Sequence, residues 1–374
     1  MQIDFHHAAT YVVARLAGFP ADEAEIVAHS AQYVDDATSS GEIFFDNGGM
    51  YERMSSAHKF YDYRNMGALS NHRVWLPFHF LPGNRGEPRP KSPPVLTHEE
   101  LVDRCITRPD SAPAREVMGA VVLRQNRPYA LHRLGIAAHV YCDTWAHQGF
   151  VGYRDRINLA TEISANDEHH ERTFEQRFAD FFGHGIEVVE EKLVGESLPL
   201  GHGVVLSYPD RPYLVWSYRN GHGELIQRDN PREFAKAAAS LYQWFRRYRD
   251  HPKHGRDAIP MDYPLPDAFA ALEKMLAEAR DEKKADRHAR WLRAIGDGTF
   301  GFRDELTYVE SGPGSWRHAA LGDTSDDDIS DAGHPIHCPP EFFSSHWKLF
   351  HDALEAHRFF VLNELLPAYG ILST

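Results

Sequence analysis

The chain has 374 residues, of which 42% are hydrophobic and 25% charged, and its formal net charge is −14. This is the balance of a folded globular chain with one large domain or two ordinary ones, and at whole-chain level it excludes the basic footprint of a nucleic-acid or anionic-membrane binder. Three scattered cysteines (Cys105, Cys142 and Cys338) with no CxxC pair argue against a disulfide framework, so any metal must be held by His and carboxylates.

In chain order, "MQIDFHHAATYVVARLAGF" has no cationic start followed by a long apolar run, so no signal peptide is expected. No stretch approaches the roughly 18 apolar residues of a membrane span. The expectation is a soluble, cytoplasmic protein without a transmembrane segment. Residues 5–18 predict a helix, with Tyr11, Val12, Leu16 and Ala17 on its apolar positions and Gly18 as its stop. Pro20 and the acids after it restart a helix that carries Ala24, Ile26, Val27, Ala31 and Val34 at helical spacing. From 38 to 84 the pattern loosens, and 88–94 reads as a turn-rich connector. "THEELVDRCI" opens on a capping box, Thr97 with Glu100. "SAPAREVMGAVVLRQN" and residues 128–149 predict two further helices, and "TFEQRFADFFGHGIEVVEEKL" one interrupted at glycine. "LGHGVVLSYPDRPYLVWSY" reads as a loop lining a site or a short strand pair. The stretches 232–249, 266–296 and 340–366 predict long helices, and 322–340 an acidic loop. The sum is a mainly α, multi-helix fold with long loops. It is expected as one large domain over 1–374, with a core at about 1–210 and a C-terminal helical elaboration at about 211–374. An α/β sheet enzyme is not expected.

Histidine is the compositional outlier, with 24 residues spread along the chain. In "LGIAAHVYCDTWAHQGF" three ionisable residues, His139, Asp143 and His147, follow one another at four-residue steps. At about 100° per residue they share one helical face, with His132 on it too. That face is flanked by Leu134, Ile136, Val140 and Trp145, where polar groups are costly unless compensated. A carboxylate between two imidazoles can hold or bridge cations, each His offering a neutral nitrogen and Asp a hard oxygen. The competing account is a set of core polar groups satisfied by hydrogen bonds.

Further ligands must come from elsewhere. The candidates are Asp4, His6 and His7 in "DFHH"; His29, Gln32 and Asp36 on one helical face, with Asp35 beside them; His58, His72 and His79; and His202 between two glycines, with Asp210 after a proline. Anions at a helix C-terminus oppose its dipole, which favours a cation at Asp35 or Asp36. Glycines beside His202 allow close backbone approach.

"HVYCDTWAH", followed by Gln-Gly, resembles the HxxxDxxxH helix of the zinc-dependent phospholipase C superfamily, which includes P1-type nucleases. The opening "DFHHAATYVVARLAGF" with "WLPFHFLPG" and "FHDALEAHRFFVLNELLPAYGI" is similar to an uncharacterised bacterial branch. The motif match covers about residues 1–210. The resemblance implies a mostly helical domain holding up to three zinc ions. It implies His6 as the early His, Asp35 or Asp36 as the acidic ligand, and His58 or His79 as the His after it. His139 and Asp143 would be the central pair, with Asp143 bridging, His147 and His202 the later histidines, and Asp210 the last carboxylate. The family's N-terminal amine ligand is expected to be missing here, with Asp4 in its place. The family's second His with an acid four residues on is absent after His147, and His202 has Leu206 there. His351 and Glu355 have that spacing on a helix that reads as simple packing.

The function expected from this is a metal-dependent hydrolase of a phosphoester (a small phosphodiester, a phospholipid head group or a nucleotide). It would use one to three zinc ions, with iron or manganese as alternatives, and Asp35 or Asp36 as base. Aromatic residues of "YLVWSY" and "VWLPFHF" are expected to wall the pocket. The competing readings are a metal-stabilised helical protein without activity and a His/carboxylate di-iron redox enzyme, whose ExxH pairs are not obvious. An HD-type phosphohydrolase has only His351–Asp352 to support it.

Overall fold

The helix that carries the His–Asp ladder is the axis of the fold. In the computed structural model, which describes residues 1–58, 68–166, 201–254, 262–325, 330 and 332–372, this helix spans Ala130–Ala146 and is buried all the way from His132 to Ala146. It is therefore not an amphipathic surface helix. A helix buried on every side is a core element, and its polar ladder must find partners inside the protein.

Those partners are carried by the surrounding elements. The chain enters through a π-helical turn, Asp4–Ala9, that leads into α1 (Thr10–Leu16) and then α2 (Ala21–Asp36). A short hairpin follows, β1 (Gly41–Phe44) against β2 (Met50–Arg53), with Gly41 opposite Arg53. Next come α3 (Ala68–Phe78), α4 (His98–Cys105), α5 (Ala112–Leu123) and the axial helix, α6. The predicted capping box on α4 forms, with both the Thr97 and Glu100 bonds present. β3 (Ala160–Ala165), β4 (Val215–Asn220) and β5 (Leu225–Asp229) make an antiparallel sheet in the order β3-β4-β5. The stretch predicted as a loop or strand pair is divided: 203–210 holds two 3₁₀ turns, and only its end becomes a strand.

The C-terminal half is helical: α7 (Asn230–His254), α8 (Phe269–Glu278), α9 (Lys284–Asp297), α10 (Trp316–Leu321), α11 (His346–Phe359), a second π turn (Phe360–Leu365) and the short α12 (Leu366–Ala368). The single helix expected over 266–296 breaks between Glu278 and Lys284. The predicted helix at 173–193 lies outside the described residues. Helices α2, α5, α7 and α11 all pack on α6. One apolar cluster joins Phe5, Val27, Leu134 and Val140 to Phe234, Leu241, Trp291 and Leu365, so both halves of the chain share a core. Each such fully buried side chain contributes about 1.5–3 kcal/mol. Among the described residues no helix is long and apolar enough to cross a membrane.

Candidate metal centre

Helices α2 and α6 cross at close range. A Cβ on Gly135 would lie 2.3 Å from the Val27 carbonyl oxygen and 2.6 Å from the Ser30 side chain, so only glycine permits this crossing. Val27, Ala31 and Asp35 repeat at four-residue steps on the α2 face that meets α6. Ala31 offers its carbonyl to His139 Nδ1–H at 2.7 Å, and Asp35 reaches within 3.9 Å of His139 Nε2.

Three more histidines are held in the same way. His79, at the end of α3, donates Nε2–H to the Ser56 carbonyl (3.0 Å). His147, just past α6, donates Nδ1–H to the His79 carbonyl (2.8 Å). His202 donates Nδ1–H to the Leu206 carbonyl (2.8 Å), with Leu206 held at a strained φ of 51°. A carbonyl can only accept, so in all four rings the tethered nitrogen carries the proton. In a neutral ring the other nitrogen is then a lone pair, and in each case it points at a carboxylate. His139 Nε2 and His79 Nδ1 lie 3.1 and 3.4 Å from Asp143 Oδ2. His147 Nε2 lies 3.2 Å from Asp210 Oδ1, and His202 Nε2 3.6 Å from Asp210 Oδ2. His6 Nε2 is 3.1 Å from Asp143 Oδ1, and its ring stacks on His139 at 3.8 Å.

These contacts resolve into three groups: His6, Asp35 and His139; His79, His139 and Asp143; and His147, His202 and Asp210. Within each, the ligand atoms all lie within 4.8 Å of one another. The groups fit a bound cation on their own chemistry. His79 Nδ1 and His139 Nε2 are 3.2 Å apart; when both rings are neutral their lone pairs face each other, which is repulsive with nothing positive between them. Two ligands of one tetrahedral zinc are expected about 3.3 Å apart. Asp143 Oδ2 is buried without a hydrogen-bond partner. Backbone carbonyls that fix the tautomer of each imidazole are the usual support of metal-binding histidines.

The electrostatics agree. Burial, the largest influence, drives His6 down to about 3 and His202 to about 4, so both rings are neutral. Burial alone would raise Asp143. Its electrostatic interactions with His147, the Met1 amine, His139 and His6 outweigh this and hold the carboxyl well below its ordinary value, while His139, which burial would lower, is raised by Asp143 and Asp35. The Met1 amine lies 2.6 Å from Asp143 Oδ1 and 3.1 Å from Asp210 Oδ1. Its burial favours the neutral amine, but Asp143, Asp210 and Asp35 together raise it to about 11. The cluster is largely enclosed. Its exposed members are the Asp35 side chain, 31% accessible, and His202, 21%.

The structure places the other expected residues elsewhere. Asp36 does not join the cluster. It accepts from the Tyr308 hydroxyl and from Gln32 (3.0 Å), and burial together with the Asp35 charge raises it to about 6. His58 is buried outside the three groups, with its ring edge-on to Trp75 at 6.2 Å. His7 points away from its neighbour His6, to His288 at 2.9 Å. His132 pairs with His346, and His29 stacks on Trp316. His351 takes the Met54 N–H, as packing would have it. Asp4 does not stand in for an N-terminal amine; it is bound by Arg287 at 2.7 Å. The aromatic residues expected to wall a pocket are instead core: Phe80, Trp216 and Tyr218 pack with Phe150 beneath the His147–His202 end, and Phe80 stacks on His147 at 4.7 Å. Gly201, at φ 55°, lets the His202 loop sit against Phe80, where a Cβ would come within 2.3 Å of the ring.

Residues 1–365 match the family of unknown function DUF6765. The chain belongs to that family. No curated protein and no solved structure matches it.

Proposed function

We propose that this protein is a metal-dependent hydrolase acting on a small phosphoester, and that its catalytic centre is the buried His/Asp cluster. The observation that carries this reading is the set of four imidazoles, each tethered by a carbonyl, with bare nitrogens turned on Asp143 and Asp210. His6, Asp35, His79, His139, Asp143, His147, His202 and Asp210 would hold the metal, with His139 common to two of the groups and Asp143 3.1 Å from His6. This is the ligand pattern implied by the resemblance to the zinc-dependent phospholipase C and P1 nuclease superfamily. Bound zinc would supply a lowered water pKa and neutralise charge on phosphate oxygens. The chain's own groups do the rest. The carbonyl tethers fix the tautomer and orientation of the imidazoles. Asp35 is the most exposed carboxylate of the cluster, at its edge, and is placed to accept a proton from an attacking water. Asp36 and the Tyr308 hydroxyl fix the end of α2 that carries Asp35. The overall charge of −14 disfavours long polyanions and suits a small phosphodiester, a nucleotide or a lipid head group.

The test is elemental analysis of the purified chain, paired with hydrolysis of bis(p-nitrophenyl) phosphate. Two or more zinc ions per chain, with turnover abolished in Asp143→Ala together with the metal, supports the proposal. Stoichiometric iron with visible absorption would replace it by a redox enzyme. Tightly held zinc without turnover of any phosphoester would replace it by a metal-stabilised scaffold, which the enclosure of the cluster favours.

A further inference from the structure

The N-terminal half of α6 carries a second feature, six residues before His139 and independent of the hydrolase reading. Arg133 is only 6% exposed. Among the described residues its guanidinium makes no hydrogen bond and no ion pair, and its Nε is buried without a partner. Its compensation within the protein is the Phe360 ring, 5.7 Å from the guanidinium carbon, with a longer-range contribution from Glu364; Arg124 lies 5.5 Å from the same ring. Burial, followed by the Arg124 charge, lowers the Arg133 pKa, yet an arginine keeps its proton in a protein. A buried, unpaired guanidinium next to a second arginine is strongly unfavourable unless something negative joins it.

The side chain lines a cavity of about 640 Å³ together with Arg124, Arg127, Tyr129 and Phe359. Three arginines and three carboxylates line it, and Lys348, beside Asp352, adds one further positive charge. Asp352 is taken by Lys348 at 2.6 Å, and Glu364 by Arg124 at 3.5 Å. That leaves Arg127 and Arg133 with the single carboxylate of Glu355 among the lining residues. Phe359, 57% exposed, gives the cavity an apolar surface beside its cations.

We propose that this cavity binds a small organic oxyanion, with a phosphate or carboxylate group on Arg133 and Arg127 and a carbon skeleton against Phe359. Guanidinium forks suit either group through paired, charge-assisted bonds. The small excess of positive charge suits a monoanion or compact dianion rather than a polyphosphate.

Isothermal titration of the full chain with benzylphosphonate and, separately, phenylacetate tests this, at fixed ionic strength and with excess chelator so that the metal centre cannot contribute. The expected result is saturable binding of at least one probe, and the preferred probe identifies the head group. Arg133→Met should weaken it about tenfold or more, the loss of one charge-assisted contact. Without ligand, the melting temperature of this variant should stay level or rise, because a buried unpaired charge has been removed. If Arg133→Met does not fold, Arg127→Gln at the exposed edge should weaken binding about threefold or more. The proposal is overturned if neither probe binds wild type, or if affinity is unchanged in the variant that folds.

Discussion

The turn that brings His6 to the cluster is held from the far end of the chain, and this gives a prediction with a definite size. Arg287 is fully buried. It donates from Nε to Asp4 Oδ2 at 2.7 Å, from Nη1 to the carbonyls of Asp281 (2.6 Å) and Glu282 (3.0 Å), and from Nη2 to Gln2. Replacing it with Met leaves Asp4 charged and buried among apolar groups. Breaking one side of such a pair costs about 3–5 kcal/mol. At about 2.1 cal/mol/K per residue, a chain of 374 residues loses about 1.3 °C per kcal/mol, so the melting temperature should fall by about 4–6 °C. Asp4→Asn combined with Arg287→Met should recover much of that loss, since no buried charge is then left unpaired. Differential scanning calorimetry of wild type, both single variants and the double variant closes the cycle. Metal content measured on the same samples should drop in Arg287→Met, because the turn carrying His6 is released. A single-variant loss below about 1 kcal/mol, or a double variant as unstable as the sum of its parents, would refute the idea that this pair anchors the turn.

Three further outcomes are expected. Gly135→Ala, a change that normally favours a helix by about 1 kcal/mol, should here destabilise by about 1–3 kcal/mol through overpacking. It should also lower metal content by moving α2 and Asp35 off α6; denaturant titration and elemental analysis read both effects. Asp143→Asn should purify without metal, and a chelator should lower the melting temperature of wild type while leaving that variant unmoved. Stability should fall steeply in acid. Burial, before any neighbouring charge, holds His29, His132 and His351 at about 3, against about 6.5 in the unfolded chain. Below that value the unfolded chain takes up three protons that the folded one refuses. Their contribution is thus complete above about pH 6.5 and is lost on acidification, by up to about 4 kcal/mol per pH unit. His351→Asn, which can still accept the Met54 N–H, should make denaturant midpoints less sensitive between pH 6 and 5.

What was legible in the sequence follows from which geometry is periodic. The α6 ladder could be read because an α-helix repeats: steps of four put His139 and Asp143 on one side, and His147 follows them although the helix ends at Ala146. The choice between Asp35 and Asp36, left open by the motif, is equally periodic. Val27 and Ala31 are the α2 residues against α6, and Asp35 continues their four-residue step, while Asp36 lies about 100° further round with Gln32. A small-residue stripe of that kind is a signal that could have decided it. The N-terminal turn was not legible in this way. Asp4–Ala9 is π-helical, and its wider turn shifts the phase of every side chain that follows, so α-helical spacing could not say that His6 and His7 face different partners. Nor could it show that Asp4 is drawn to Arg287, 283 residues away.

The remaining candidate ligands, His79, His202 and Asp210, sit at a helix end and in or beside 3₁₀ turns, where side-chain direction depends on backbone contacts made only after folding. The same contacts explain why the histidines are arranged as they are. A bare lone pair facing a carboxylate in a dry core is unfavourable by itself, and it is relieved by a proton on that nitrogen, by release of the carbonyl tether or by a bound cation. The fold instead fixes the protons on the outer nitrogens, at Ser56, Ala31, His79 and Leu206. It accepts a strained φ at Leu206 to complete the set. An arrangement that served only packing would gain from turning those rings around. One that keeps them turned inward trades stability of the metal-free chain for a site ready to take a cation, which is why chelation and Asp143→Asn are expected to act on stability and metal content together.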